Sequence, residues 1–541
     1  MRLVDFTPKR ARVPVAAALL ALATGCGDAR SGGAIQRGTL VRLADGLVQG
    51  TVQGGARRFL GIPFAAPPVG SLRFRPPTPA IPWQGVREAN AFGPACAQTS
   101  SIITPRSENE DCLYLNVWTP DPAPSRPLPV MVWIHGGGNN NGSANDPVPL
   151  GLGGLFYDGR QLAETRDVVV VSINYRVNLF GFFPHSSLAA EDRGDPHSGN
   201  QGLLDQQQAL RWVRDNVAAF GGDPGNVTIF GESAGAFNVC FHVASPGSRG
   251  LFHRAISQSG GCTTYLPTAA EAEARSQAVI DAVGCGGASD VPACLRDVPV
   301  ARLLDYAGES GPIVDGRVLP AQPRALFARG DVEKVPWILG SNSDEGTFFL
   351  LGTPKVTTEA EYLASLRGFF GDRAPAVAEV YPASAYPEPQ DALARAYGDF
   401  LLVCSTQDSA RRAADAGMPV YLYNFSRPIP LAELAPLDLR ATHGAEVAYV
   451  FGSVPPPTEE DARLSSAMQG YWTRFARGGD PNGGGATPWP LYDPTADPRL
   501  DFDVEIGLVS GFRERECRFW RGVYDDEFPT GDGVAAGRGR P

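Results

Sequence analysis

The sequence is short of charge and has no cluster of basic residues. Charged residues make up 19% of the 541 residues, and the formal net charge is −11. An acidic balance without a basic patch argues against nucleic acid as a partner. The chain also lacks any run of the roughly 18 apolar residues that a membrane-spanning helix needs. With 43% hydrophobic residues, it is instead long enough and apolar enough to bury a large core.

The N-terminus has the pattern of an export signal. Basic residues precede the apolar run Val15–Ala23, which is too short to span a bilayer and is typical of a secretory signal peptide. The run ends in Ala23-Thr-Gly-Cys26, which resembles a bacterial lipobox, where the cysteine is acylated after cleavage. We therefore predict a signal peptide over 1–25, a flexible tether over 26–38 and a lipid-anchored, exported protein. The alternative is an ordinary cleavable signal in which Cys26 has no role.

Beyond the tether, apolar runs of strand length alternate with helical patterns. Residues 129–134 and 167–174 are solidly apolar, which is typical of central parallel strands covered on both faces. Residues 200–220 repeat leucine and valine at helical spacing. We predict a single α/β domain over 39–525, with a mostly parallel central sheet, helices on both faces and large loop and helix insertions. Residues 526–541 are expected to be a disordered tail.

A candidate nucleophile lies between a predicted strand and a predicted helix. Ser233 is the centre of Gly231-Glu-Ser-Ala-Gly235, which follows the apolar run 226–230 and precedes a helical pattern. In α/β-hydrolases such a serine stands on a sharp turn, and the glycines leave room for neighbouring elements. The bare pattern is weak, because it also occurs by chance in a glycine-rich chain. Its position between strand and helix is what favours a nucleophile over a simple turn.

The scarcity of histidine identifies the partner of this serine. A serine hydroxyl needs a base to take its proton and return it to the leaving alcohol. In this fold the order along the chain is serine, acid, histidine. His443 alone follows Ser233 at a distance that leaves room for an acid-bearing strand. The other histidines either precede Ser233 or follow it too closely: His135, His185, His197, His242 and His253.

Two further parts of the site are expected at strand ends. The acid should follow the strand 335–340, where Asp344 and Glu345 are both candidates, and their spacing leaves the choice open. The run His135-Gly-Gly-Gly138 follows the strand that ends at Ile134, and glycines there allow backbone N–H groups to point at a carbonyl oxygen. The N–H of Ala234 adds another donor to this oxyanion hole.

Together these parts resemble the type-B carboxylesterases, the carboxylesterase/cholinesterase family. The resemblance runs from about Gly38 to about Tyr524. It implies an α/β-hydrolase fold and hydrolysis of small-molecule carboxylic esters through an acyl-enzyme, without a metal or organic cofactor. Short or medium acyl chains are expected by analogy. The motifs that carry the resemblance are Phe59-Leu-Gly-Ile-Pro-Phe64, Glu110-Asp-Cys-Leu-Tyr-Leu-Asn116, Asn200-Gln-Gly-Leu-Leu-Asp-Gln206, Phe220-Gly-Gly-Asp-Pro224, Ser257-Gln-Ser-Gly260 and His443-Gly-Ala-Glu446.

The resemblance also implies roles for single residues. The family's Asp-Glu-Gly motif matches Asp344-Glu-Gly346 and makes Glu345 the triad acid. The family also makes Gly137, Gly138 and Ala234 the oxyanion donors. Glu232 and Ser259 are expected to bond each other beneath the triad; the alternative is a buried pair with a structural role only.

Nine cysteines in an exported chain make disulfides available, and eight remain if Cys26 is lipidated. Short spacings favour two pairs, and the family resemblance implies these two and a third. Cys240 and Cys262 have no family counterpart, and their pairing is a hypothesis. The three implied pairs are Cys96–Cys112, Cys285–Cys294 and Cys404–Cys517.

One departure from the family narrows the substrate. In cholinesterases the loop closed by the first disulfide carries a tryptophan that binds quaternary ammonium, but residues 97–111 contain no aromatic side chain. Capture of choline by this loop is therefore unsupported. The rival hypotheses are a lipase acting at an interface and a non-catalytic member of the adhesion type.

Overall fold

The computed structural model describes residues 36–148, 154–191, 199–308, 310–430, 434, 437–454 and 456–527. The predicted signal peptide, Cys26, most of the tether and the chain beyond 527 lie outside these residues. The strands are β1 (Leu40–Arg42), β2 (Leu47–Gln49), β3 (Thr51–Gln53), β4 (Ala56–Pro63), β5 (Val86–Glu88), β6 (Tyr114–Pro120), β7 (Leu128–Ile134), β8 (Val169–Ile173), β9 (Gly222–Glu232), β10 (Arg254–Gln258), β11 (Trp337–Asn342), β12 (Val420–Phe425), β13 (Pro498–Phe502) and β14 (Gly507–Ser510).

Helices lie between most of these strands. They are α1 (Arg160–Arg166), α2 (Asn178–Gly181), α3 (Ser186–Ala189), α4 (Gln201–Asn216), α5 (Ala234–Ala244), α6 (Ala269–Ala282), α7 (Val291–Asp297), α8 (Val300–Leu304), α9 (Pro323–Arg329), α10 (Gly346–Phe349), α11 (Glu359–Phe370), α12 (Ala374–Val380), α13 (Pro389–Gly398), α14 (Cys404–Asp415), α15 (Ala445–Phe451), α16 (Glu459–Gly478) and α17 (Glu514–Glu527). Since α6–α9 follow β10 and α10–α14 follow β11, the two largest helical insertions flank the strand that precedes the candidate acid. None of the described helices is long and apolar enough to cross a membrane.

Eleven strands form the central sheet, in the spatial order β14-β13-β12-β11-β10-β9-β7-β8-β6-β4-β3. In this order, every adjacent pair from β13 through to β8 is parallel. The pair β14–β13 at one edge and the pairs β8–β6, β6–β4 and β4–β3 toward the other edge are antiparallel. The remaining strands β1, β2 and β5 form a small separate sheet. Because parallel strands end at the same edge of a sheet, the loops after β7, β9 and β11 meet there.

The central strands are apolar throughout because both faces of the sheet are covered. In β7, Val130, Val132 and Ile134 belong to one buried cluster, which also contains α4 and α5. Met131 and Trp133 belong to another, which contains α15 and α16. This arrangement confirms the predicted α/β-hydrolase fold with helices on both faces of a mostly parallel sheet.

Two predicted boundaries differ from those observed. The strand expected to start at residue 226 begins at Gly222, because β9 also pairs with the start of β7. The last helix continues to Glu527, beyond the predicted domain end at 525. Its Trp520 and Tyr524 pack into a buried cluster with α11 and α13.

Four disulfides join the described cysteines, and they include the hypothesised fourth pair. Such bonds persist in oxidising compartments, which fits an exported protein. The pairs are Cys96–Cys112, Cys240–Cys262, Cys285–Cys294 and Cys404–Cys517.

Candidate active site

Ser233 occupies the turn between β9 and α5. Its backbone has φ 55° and ψ −125°, a conformation that residues other than glycine rarely adopt. The two flanking glycines are required by packing: a Cβ atom would lie 2.6 Å from the Ile134 carbonyl oxygen at Gly231, and 2.0 Å from it at Gly235. The end of β7 therefore presses against this turn, and the Ser233 side chain is left to line a cavity.

His443 lies just before α15 and contacts Glu345 in the loop after β11. Its Nδ1–H donates to Glu345 Oε2 over 2.6 Å. The other carboxylate oxygen accepts the Asn342 N–H over 2.7 Å, and Glu345 is only 1% exposed. Since both oxygens are engaged, the carboxylate holds the imidazole in one orientation and tautomer.

Asp344, the other acid candidate, points elsewhere. Its Oδ1 accepts from Arg395 Nη2 over 3.1 Å. Arg395 lies on α13, in the insertion between β11 and β12. Of the two adjacent carboxylates that the residues alone left open, Glu345 is the one that contacts His443.

Two of the other described histidines, His135 and His242, are held in the interior by structural contacts. His135 is fully buried and stacks on Tyr175 with ring centroids 4.2 Å apart, and burial lowers its pKa to about 4. His242 bonds Ser248 and Gln206, and burial lowers its pKa to about 3. Both rings are therefore neutral at physiological pH. His197 lies outside the described residues.

The expected bond between Glu232 and Ser259 is wrong for this structure. Among the described residues, Ser259 Oγ has no hydrogen-bond partner, although it is fully buried. The Glu232 carboxylate turns instead toward the histidine, and its Oε1 lies 3.1 Å from His443 Nε2. No hydrogen bond between described residues joins Ser233 Oγ to that nitrogen. A charge-assisted contact between a carboxylate and an imidazolium is stronger than a carboxylate contact with a neutral hydroxyl, and the raised pKa of His443 is consistent with such a contact.

Three buried carboxylates surround His443, and they change its protonation. Burial raises the pKa of Glu232 and of Glu446. Burial alone would lower the pKa of His443, but the charges of Glu232 and Glu345 outweigh it and raise that pKa. Because Glu232 and His443 are so close, the two groups titrate together rather than one by one.

The glycine-rich loop after β7 lies beside the serine. A Cβ at Gly136 would come within 3.1 Å of Ser233 Cβ. Gly137 and Gly138 have φ angles of 97° and 65°, and a Cβ at Gly137 would lie 2.1 Å from the Asn141 carbonyl oxygen. Among the hydrogen bonds between described residues, the N–H groups of Gly137 and Gly138 are not donors. They remain available to an oxyanion, as does the N–H of Ala234 at the start of α5.

Comparison with known proteins identifies the family. Residues 37–520 match the Carboxylesterase family. The chain belongs to that family. A medium-chain fatty acyl-CoA hydrolase precursor of Anas platyrhynchos is 39% identical over 505 residues, covering 85% of this chain and 87% of that protein. Fumonisin B1 esterase of Sphingopyxis macrogoltabida is 38% identical over 485 residues, or 86% of each chain. Liver carboxylesterase of Sus scrofa is 36% identical over 523 residues, or 87% of this chain and 89% of that protein.

As a member of this family, the protein is a serine carboxylic ester hydrolase. Its cavity has a volume of about 590 Å³ and opens beside Ser233 and His443. The loop closed by Cys96–Cys112 contributes one wall, and its side chains there are aliphatic or small. Within the described ranges, no group of three or more His, Cys, Asp or Glu residues could hold a metal ion. The lining includes these large apolar residues: Ile102, Ile103, Val148, Phe156, Phe348, Phe349, Leu351, Ile429, Leu434, Leu439 and Val454.

Proposed function

We propose that this carboxylesterase works through an acyl-enzyme formed on Ser233, with His443 as base and Glu345 as the acid of the triad. The observation that carries the proposal is the 2.6 Å contact between His443 Nδ1 and the buried Glu345 carboxylate, at the cavity that Ser233 lines. A base held this way is the arrangement that activates a serine hydroxyl.

The reaction has two halves. In the first, Ser233 Oγ attacks the ester carbonyl carbon while His443 Nε2 takes its proton. The tetrahedral intermediate then collapses, the C–O bond to the alcohol breaks, and His443 returns the proton to the leaving oxygen. In the second half, His443 deprotonates a water molecule that attacks the acyl-enzyme, and the acid leaves as Ser233 recovers its proton.

In both halves of the reaction, the main contribution to the barrier is the negative charge that develops on the carbonyl oxygen. In the proposal, the N–H groups of Gly137, Gly138 and Ala234 stabilise it. Removing one donor of this kind costs roughly 3–4 kcal/mol of barrier in other hydrolases. The positive φ angles of the two glycines support the assignment, because a side chain at either position would strain the loop.

Before the serine reacts, the Nε2 atom of His443 must leave its contact with Glu232 and form a hydrogen bond with Ser233 Oγ. In the structure this nitrogen lies 3.1 Å from Glu232 Oε1. Catalytic hydrogen bonds are often loose without substrate and tighten once it is bound. The raised pKa of Glu232 supports a role as a temporary proton partner that keeps the imidazole in place.

The lining of the cavity favours neutral esters with short or medium acyl chains as substrates. Its walls are largely apolar, and the described lining residues include no lysine or arginine that could pair with an acidic acyl group. Each buried methylene contributes about 0.8 kcal/mol. We expect kcat/KM to rise with acyl length until the cavity is filled and then to fall.

Hydrolysis of matched substrates tests the proposed function. Dissolved 4-nitrophenyl esters from acetate to laurate should be cleaved, with an optimum at intermediate length, and emulsified triolein should be a poor substrate. If the rate rises sharply only when an emulsion forms, the protein is an interfacial lipase. If neither form is cleaved, the ester-hydrolase proposal fails.

We further propose that Cys26 carries the lipid that attaches the protein to the bacterial cell envelope. The support is the short sequence that ends in this cysteine and the polar segment that follows it. Cys26→Ser should move the protein from the membrane fraction to the soluble fraction and abolish incorporation of labelled palmitate. An unchanged distribution would refute the anchor.

A further inference from the structure

The loop that carries the oxyanion donors folds back on itself. The Gly137 carbonyl accepts the N–H groups of Asn140 and Asn141, each over 3.0 Å. At the end of the loop, Gly142 returns against its beginning: a Cβ at Gly142 would lie 2.6 Å from the Gly136 carbonyl oxygen. Gly142 therefore packs directly on Gly136, the residue before the two candidate donors, Gly137 and Gly138.

The side chain of Gln98 holds Gly142 on both sides. Its Oε1 accepts the Gly142 N–H over 2.8 Å, and its Nε2 donates to the Gly142 carbonyl over 3.1 Å. The same Nε2 donates to the Cys96 carbonyl over 2.9 Å, and Gln98 is fully buried. This two-point contact resembles the pairing of adjacent β-strands, which fixes both distance and orientation.

Gln98 itself is firmly anchored in the loop closed by Cys96–Cys112. Its backbone exchanges hydrogen bonds with Ser107, over 2.8 Å and 3.0 Å. This loop also supplies the cavity wall at Ile102 and Ile103. One disulfide-closed loop therefore contacts both the acyl cavity and the oxyanion loop.

A second tie joins the same two loops but at a different point. Asn178 Nδ2 donates to the Ala97 carbonyl over 2.8 Å and to the Asn140 carbonyl over 3.2 Å. These contacts hold the middle of the oxyanion loop, whereas Gln98 holds the residue that packs on Gly136. Loss of Gln98 should therefore shift the donors without unfolding the loop.

We infer that Gln98 is a positioning residue for ester hydrolysis: through Gly142 it sets the oxyanion N–H groups of Gly137 and Gly138. The inference rests on the proposed function. Donors of this kind act only when they lie about 2.7–3.1 Å from the developing oxyanion. A displacement of about 1 Å can cost roughly a hundredfold in rate. An uncharged amide that does not itself line the cavity can thus control the chemical step.

The test compares Gln98→Ala and the length-matched Gln98→Met with Gln201→Ala. Gln201 is a close control because it is also buried, accepts the N–H of Gly199 over 3.1 Å and donates to the Phe74 carbonyl over 2.8 Å, away from the cavity lining. For each variant we would measure kcat and KM with 4-nitrophenyl butyrate, Tm, and Ki for a trifluoromethyl ketone, which forms an oxyanion on the serine.

Both Gln98 variants should lower kcat by about 10- to 100-fold, leave KM within about threefold and raise Ki by the same factor as kcat falls. Gln201→Ala should lower Tm by a similar amount but keep kcat and Ki. If Gln98→Ala does not fold, Gln98→Met decides alone. Equal kcat and Ki in the Gln98 variants and the control would overturn the inference. An inactive wild-type protein would instead refute the proposed function, and the inference with it.

Discussion

The two sides of the His443 ring are built differently. On the Nδ1 side, both oxygens of the buried Glu345 carboxylate have hydrogen-bond donors, one from the ring and one from Asn342. On the Nε2 side, Glu232 Oε1 faces the ring nitrogen over 3.1 Å, Ser259 Oγ is buried without a hydrogen-bond partner among the described residues, and both Glu232 and His443 line the cavity. An unpaired buried polar group costs about 1–3 kcal/mol.

This contrast separates support from chemistry. A fully bonded carboxylate has one arrangement and serves as a fixed frame for the imidazole. The opposite side tolerates incomplete bonding, as sites that move protons commonly do. Substitutions on the two sides should therefore have different signatures, and their expected effects on activity run from very large to nearly zero.

Ser233→Ala should have the largest effect, a loss of roughly 10⁶-fold in kcat, because no other group can form the acyl-enzyme. Stability should change little, since the substitution relieves rather than adds crowding at a strained turn. Initial rates with 4-nitrophenyl butyrate and a thermal melt measure both. Substantial remaining activity would show that another residue is the nucleophile.

Glu345→Ala should cost about 10⁴-fold in kcat, because the imidazole loses its orienting partner. Asp344→Ala is the matched control, since it removes the neighbouring carboxylate and, among the described residues, its pair with Arg395. Its kcat should fall less than about tenfold. The reverse order of the two effects would move the acid to Asp344 and break the contrast.

Glu232→Gln should change the pH profile more than the maximal rate. Activity needs neutral His443, so kcat/KM rises with pH through the pKa of that histidine. The Glu232 charge raises this pKa, so its removal should shift the rise to lower pH by about one unit. Glu333→Gln, which removes a half-buried carboxylate just before β11, serves as the control. An unshifted profile would show that Glu232 does not act on His443.

Ser259→Ala should have the smallest effect. Its hydroxyl has no partner among the described residues, so removal should change the free energy of unfolding by less than about 1 kcal/mol and kcat by less than about threefold. Chemical denaturation measures the first quantity. A loss above about 2 kcal/mol would indicate that Ser259 does bond Glu232, as the family resemblance implied.

Much of the architecture could be predicted from the chain because its signals are local. The solidly apolar sequences of β7 and β8 predicted a parallel sheet covered on both faces. The strand-turn-helix context of Ser233 is likewise a feature of adjacent residues. The position of His443 followed from the scarcity of histidine. The structure shows that His443 contacts Glu345. That His443 acts as the catalytic base is a prediction.

The remainder depends on residues that are distant in sequence. Arg395, on α13, engages Asp344, whereas His443 engages Glu345, and neither partner is close to these carboxylates in sequence. Gln98 has no recognisable spacing from Gly142, and buried amides leave no pattern of their own. The three asparagines at 139–141, directly after the glycines, indicate that this loop makes side-chain contacts. They do not indicate which residues elsewhere in the chain make those contacts.

The central claim is that Ser233 is activated by His443 and Glu345. Labelling of the folded protein with a fluorophosphonate, followed by peptide mapping, tests it most directly. The account predicts one adduct, on Ser233, that forms far more slowly in Glu345→Ala and at nearly the wild-type rate in Asp344→Ala. Absence of the adduct in folded protein, or its formation on another residue, would contradict the account.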